Sequence, residues 1–195
     1  MPIRVFISYK RQKLSKTVAG ELKDRLTADG FQVFLDTRAI QGGQIWPAVI
    51  YREVGMSDVL VVLLEERTAD SDWVQREVDT ARGAHVSILP VKINPVVEIT
   101  DALKVLAIED VHYIDYFGAD VEADYKTLTD NICSLYKTTK DAQATWIKSL
   151  QAKWRPVPAK NALCAAAFEL RNRLHPCRIY LTTGDITKVR DIDVL

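Results

Sequence analysis

Two side chains in the stretch SDWVQREVDTA, residues 71–81, can do chemistry that a covering helix does not require: Trp73 and Glu77, one helical turn apart. Helical periodicity turns Val74, Val78 and Ala81 toward a sheet and sets Trp73, Glu77 and Thr80 on the neighbouring stripe. The positions three and four residues from Glu77 hold Trp73, Val74, Thr80 and Ala81, so no Lys or Arg of the same helix pairs with it. A carboxylate without a helical ion pair, beside an aromatic face, is equipped to accept hydrogen bonds and to meet positive charge as it develops. The plain alternatives are a solvated surface glutamate and a ring packed into the helix–sheet interface.

Other candidate groups gather where strands should end. Ser8, Tyr9, Lys10 and Arg11 run together at the end of IRVFISY (3–9), and Asp36 closes FQVFLD (31–36). The loop that follows, TRAIQGGQIW, carries Gly42 and Gly43 and ends in Trp46. Without a Cβ those glycines let the backbone approach a ligand closely or move. The spacing G-G-Q-I-W is neither a dinucleotide fingerprint nor a P-loop. Each group also has an ordinary role: Ser8 and Asp36 as loop caps, Lys10 and Arg11 as solvated charges, Trp46 as a core residue at a helix start rather than a lid anchor. The carboxyl edge of an open parallel sheet is where ligands bind, and these residues fall there.

The elements that must position them alternate along the chain. Strands are predicted at 3–9, 31–36, 58–66, 86–93 and 111–116, from β-branched or continuous apolar runs. The run DVLVVLLEE (58–66) is apolar on both faces, as a central parallel strand should be. Helices are predicted at 15–30, where Gly30 gives a C-terminal stop, at 46–57 with Pro47 in the first turn, at 71–81, and from Val121 to Tyr136. That alternation predicts an α/β fold, a parallel sheet covered by helices on both faces. Beyond about residue 140 the pattern changes. ATWIKSLQAKW (144–154) reads as a helix broken by RPVPAK, the alanine-rich NALCAAAFELRNRL (161–174) as another helix, and CRIYLTT (177–183) as a strand. Residues 138–195 are therefore expected to form an extension or small appended module.

Composition closes off several function classes. The 195 residues hold 26 Lys and Arg against 26 Asp and Glu, so no global field draws in nucleic acid or a membrane surface. No apolar run reaches the roughly 20 residues of a transmembrane helix, and MPIRVFISYKR lacks a signal-peptide core. Three scattered cysteines and three scattered histidines give neither a disulfide framework nor a metal site, and a cytoplasmic setting is expected.

The order and punctuation of residues 1–137 resemble a TIR (Toll/interleukin-1 receptor-type) domain. FISYKR (6–11) resembles the family's first-strand signature, FLDTRAIQGGQIW (34–46) its second strand and following loop, SDVLVVLLEE (57–66) its third strand, and SDWVQREV (71–78) the start of its third helix. The resemblance implies a flavodoxin-like fold with a five-stranded parallel sheet. It also implies one of two activities. Some members are non-catalytic adaptors acting through TIR–TIR contacts. Others, many of them bacterial, cleave NAD+ at the nicotinamide–ribose bond with a third-helix glutamate preceded four residues earlier by tryptophan, as in Trp73-x-x-x-Glu77.

On the enzymatic branch, the resemblance implies Glu77 as the catalytic carboxylate. It implies a substrate surface drawn from Ser8, Tyr9, Lys10, Arg11, Asp36, Gly43, Trp46 and Trp73. NAD+ is then a substrate, and no cofactor or metal is called for. The products would be nicotinamide and either ADP-ribose or a cyclic ADP-ribose signal, in bacterial antiphage defence. Partners would be further copies of the domain and a separate effector reached through the nucleotide signal. A receiver-type phosphoacceptor domain shares the fold but needs acids after the first strand, where this chain has SYKR. A nucleoside deoxyribosyltransferase-like enzyme is a further alternative that fits the first-strand and loop signatures less well.

Overall fold

The run VLVVLL (59–64) has no polar face, and such a strand is stable only with both sides covered. It becomes the middle of the sheet. The computed structural model describes residues 2–35, 46–118, 120–157, 164–170 and 178–182, with side chains described at 2–35, 49–118, 120–142 and 144–145. In it β1 (Arg4–Tyr9), β2 (Gln32–Leu35), β3 (Val59–Leu64), β4 (Ser87–Lys92) and β5 (Ile114–Asp115) pair in the order β2-β1-β3-β4-β5. Every pairing is parallel. The chain moves from β1 outward to β2 and then crosses to β3 on the other side of β1. The topological switch point, where open sheets of this type take ligands, thus lies between β1 and β3.

Side chains of a strand alternate between faces, and this divides the core in two. Val5 and Ile7 of β1 and Val59, Val61 and Leu63 of β3 join one cluster with Val18, Leu22 and Leu26 of α1 (Lys13–Ala28) and Leu128 and Ile132 of α5 (Val121–Lys153). Phe6, Leu60, Val62 and Leu64 face the other way. They meet Ile50 and Val54 of α2 (Trp46–Gly55), Val74, Val78 and Ala81 of α3 (Asp72–Gly83) and Leu103 of α4 (Thr100–Val105). Phe6 stacks on Phe34 at 5.2 Å between centroids, where β1 and β2 place them opposite each other. The sheet carries helices on both faces, as the alternation predicts.

Several elements depart from the sequence-based expectation. The helix expected to end at Tyr136 and the separate helix expected at 144–154 form one helix, α5, ending at Lys153. The segment 161–174, expected to be helical, contains a strand, β7 (Cys164–Leu170), between β6 (Trp154–Val157) and β8 (Arg178–Thr182) in an antiparallel sheet. Alanine's helix preference amounts to tenths of a kcal/mol per residue, and pairing along both edges overrides it. The helix α4 and a 3-10 turn at Thr68–Asp70 were not expected, because each is too short to show a period. Met1–Thr139 and Lys140–Leu195 are separate compact units. Among the described residues no helix is long and apolar enough to cross a membrane.

Candidate functional site

Ser8 is the penultimate residue of β1, opposite Val62 of β3, at the carboxyl edge beside the switch point. It lies on the same face as Phe6, toward α3, and is only 1% exposed. A lone serine hydroxyl buried among aliphatic side chains needs a partner. Its partner is Glu77, 69 residues away in sequence: Ser8 Oγ donates to Glu77 Oε2 at 2.5 Å.

That contact corrects the placement of Glu77. The carboxylate is not on a solvated stripe; Glu77 is 2% exposed and shares the buried face of α3 with Val74, Val78 and Ala81. Positions 74, 77, 78 and 81 form one helical stripe, so the geometry turns Glu77 inward despite its charge. The helix itself is well specified. Asp72 lies in the first turn and Arg82 in the last, as the helix dipole favours. His85 adopts a left-handed φ of 56° just past the helix end, while the Val86 amide donates back to the Ala81 carbonyl at 2.8 Å. Trp73 is half-buried against the same core as Val74, and Arg76 sits over its ring at 5.7 Å.

The other expected residues divide. Tyr9 ends β1 beside Ser8 but turns to the opposite face, packing against the α1 and α5 cluster, so the two do not present their side chains together. Lys10 reaches across the switch point, its Nζ donating to the Arg67 carbonyl at 2.9 Å in an exposed bond. Arg11 is exposed. Trp46 begins α2, and nothing further is described of its side chain. Asp36, Gly43 and the rest of the loop 37–45 lie outside the described residues.

One group at this edge escaped the sequence reading. Glu65 directly follows β3, is 5% exposed, and has a buried Oε1 without a hydrogen-bond partner. The visible signal was an acid closing the most apolar strand of the chain, at the edge where open sheets bind ligands. Its backbone is pinned by Thr68, whose hydroxyl lies 2.9 Å from the Glu65 amide and 3.0 Å from its carbonyl. Gln12 Nε2 donates to the Glu66 carbonyl at 3.3 Å. With Lys10 on Arg67, the loop after β1 therefore braces the turn after β3. Arg67 in that turn holds a left-handed φ of 60° and pairs with Asp70 at 2.7 Å.

Residues 5–129 match the family described as the TIR domain. Over 97 residues, 46% of this chain, the sequence is 33% identical to the NAD(+) hydrolase SARM1 of Danio rerio, and the match spans 14% of that protein's length. The TIR domains of the activated Roq1 resistosome, which directly recognises the pathogen effector XopQ, superpose with a TM-score of 0.54 at 18% identity. They cover 67% of this chain and 99% of theirs. The TIR domain of the Toll-related receptor TRR-2 from Hydra magnipapillata gives 0.52 at 19% identity, with 66% and 96% covered. At these identities the structural likeness is one of fold.

Proposed function

The chain belongs to the TIR domain family, and from that membership we propose that it is an NAD+ glycohydrolase with Glu77 as its catalytic carboxylate. The observation that carries the reading is the buried pair of Ser8 and Glu77 at the carboxyl edge of the sheet, 2.5 Å apart beside the switch point. A buried carboxylate is costly to keep, and this one is held by a hydroxyl from another element where ligands of such sheets sit. Similarity to a relative named as an NAD(+) hydrolase supports the same chemistry.

In NAD+ the nicotinamide is a cationic leaving group. When its bond to the ribose breaks, the electron pair goes to the ring nitrogen and nicotinamide departs neutral, with no general acid required. The ribose carbon is left with oxocarbenium character, as in other glycosidic cleavages. Glu77, fixed by Ser8, accepts hydrogen bonds from the ribose hydroxyls and stabilises that positive charge. Water adds to the carbon and loses a proton to give ADP-ribose, or a nitrogen of the adenine adds to give a cyclic product. Trp73 supplies an aromatic wall one turn before the acid.

The biological setting that goes with this reading is antiphage signalling in the cytoplasm of a bacterium, with self-association of the domain and a nucleotide product acting on a separate effector. Incubating purified protein with NAD+ and separating the products by chromatography tests the chemistry. Nicotinamide with ADP-ribose or its cyclic form is expected. An inert protein, assayed both dilute and concentrated, returns the chain to the adaptor class.

A further inference from the structure

We infer that Glu65 is a second substrate-binding carboxylate, one that accepts hydrogen bonds from the vicinal hydroxyls of a ribose in the dinucleotide. This rests on the reading above that the chain takes NAD+. Leu63 of β3 lies opposite Tyr9 of β1, so Glu65 emerges two residues beyond that pair, beside the switch point. Its residue is 95% buried, and its Oε1 has no donor among the described residues. A carboxylate accepts and never donates when ionised, so the oxygen calls for an O–H or N–H from outside the described chain.

The backbone of the turn that carries Glu65 is pinned. Thr68 binds both its amide and its carbonyl, while Gln12 and Lys10 hold the next two carbonyls. The strained backbone of Arg67 sits inside that brace. A diol is a donor that suits the group, because either of two adjacent hydroxyls can give its hydrogen to Oε1. An acid at the carboxyl end of a parallel strand takes ribose hydroxyls in this way in dinucleotide-binding sheets. A divalent cation would need further ligands, and among the described residues no three His, Cys, Asp or Glu side chains gather.

The test titrates ADP-ribose, which keeps both riboses but has no scissile nicotinamide bond, into the full chain by calorimetry. Glu65→Gln should weaken binding about tenfold or more, the loss of a hydrogen bond to a charged acceptor. It should melt at or above the wild-type temperature, because a buried charge is removed and Oε1 loses no partner within the described residues. Glu66→Gln, next door and exposed, should leave the affinity unchanged. Ribose-deoxy analogues of ADP-ribose should bind the wild type more weakly yet lose nothing further in Glu65→Gln. Should that variant fail to fold, Glu65→Asp retains the charge at shorter reach and should show intermediate affinity. Equal affinity of wild type and Glu65→Gln, or wild-type indifference to every deoxy analogue, overturns the assignment. Nicotinamide release measured in parallel separates the two readings. Binding of ADP-ribose without release sinks the glycohydrolase and leaves the diol site standing, whereas release with an unchanged KM in Glu65→Gln does the reverse. Neither binding nor release overturns both.

Discussion

Glu77→Gln keeps the side-chain volume and an acceptor for the Ser8 hydroxyl but removes the negative charge. Loss of one preorganised electrostatic group should lower NAD+ cleavage about 100- to 1,000-fold, roughly 3–4 kcal/mol of barrier. Read as a surface residue, Glu77 would be replaceable at almost no cost in stability. Its burial raises the stake, and a shift of about 1 kcal/mol in either direction is expected, because lost charge-assisted bonding and relieved charge burial oppose each other. Ser8→Ala should behave differently. It removes a buried donor from a carboxylate and should cost about 1–3 kcal/mol in denaturant melts, with a fall in kcat rather than a rise in KM. Asp79→Asn is the control. It lies about 200° around the helix from Glu77, is exposed, and pairs with Arg82 at 3.5 Å, a contact worth at most about 1 kcal/mol. If Glu77→Gln keeps more than a tenth of the wild-type rate, the catalytic role is lost. Residue type and spacing, together with the family resemblance, marked Trp73 and Glu77 as candidates. The burial of Glu77 was not legible, because the hydroxyl that makes it tolerable comes from a strand 69 residues away.

The helices α1 and α5 meet in a polar clasp at the rim of their shared core, and its chemistry gives the fold an alkaline limit. Tyr125 donates to Asp29 Oδ2 at 2.7 Å, Arg25 lies over the Tyr125 ring at 3.8 Å, and Arg25 also pairs with Glu122 at 2.8 Å. Burial first, and then the bond to Asp29, push the Tyr125 phenol far above the usual tyrosine range. A group whose folded pKa is raised contributes stability below its unfolded value, about 10 for tyrosine, and loses it as pH rises toward the folded one. Thermal melts should therefore show the wild type more stable than Tyr125→Phe at pH 8, by about 1 kcal/mol, with the gap closing above about pH 10. A constant gap across that range would contradict the clasp. The strands of this unit were legible because β3 is apolar without interruption and β1 and β4 each centre on a short, largely β-branched apolar run with polar residues at its ends. The elements that escaped were those where local preference is weak: α4, six residues long, and β7, whose alanines fit a helix in isolation. Pairing partners far along the chain decide such segments.

Every group assigned a chemical role, Ser8, Glu65, Trp73 and Glu77, lies in the unit Met1–Thr139, and so do both apolar clusters. A chain ending at Thr139 therefore keeps both clusters and should fold alone, melting as a single cooperative transition. What the second unit adds is open to a direct measurement. If the productive site forms between copies of the domain, turnover per protomer follows the fraction assembled and falls with dilution once concentration drops below the dissociation constant. The full chain should show this fall between micromolar and nanomolar protein. If Lys140–Leu195 supplies part of the assembly surface, the shortened chain should lose activity at a higher concentration yet recover the same turnover when concentrated. A shortened chain inactive at every concentration, while still folded, would mean that the second unit completes the site. Constant turnover per protomer in the full chain across the whole dilution series would show instead that one copy suffices.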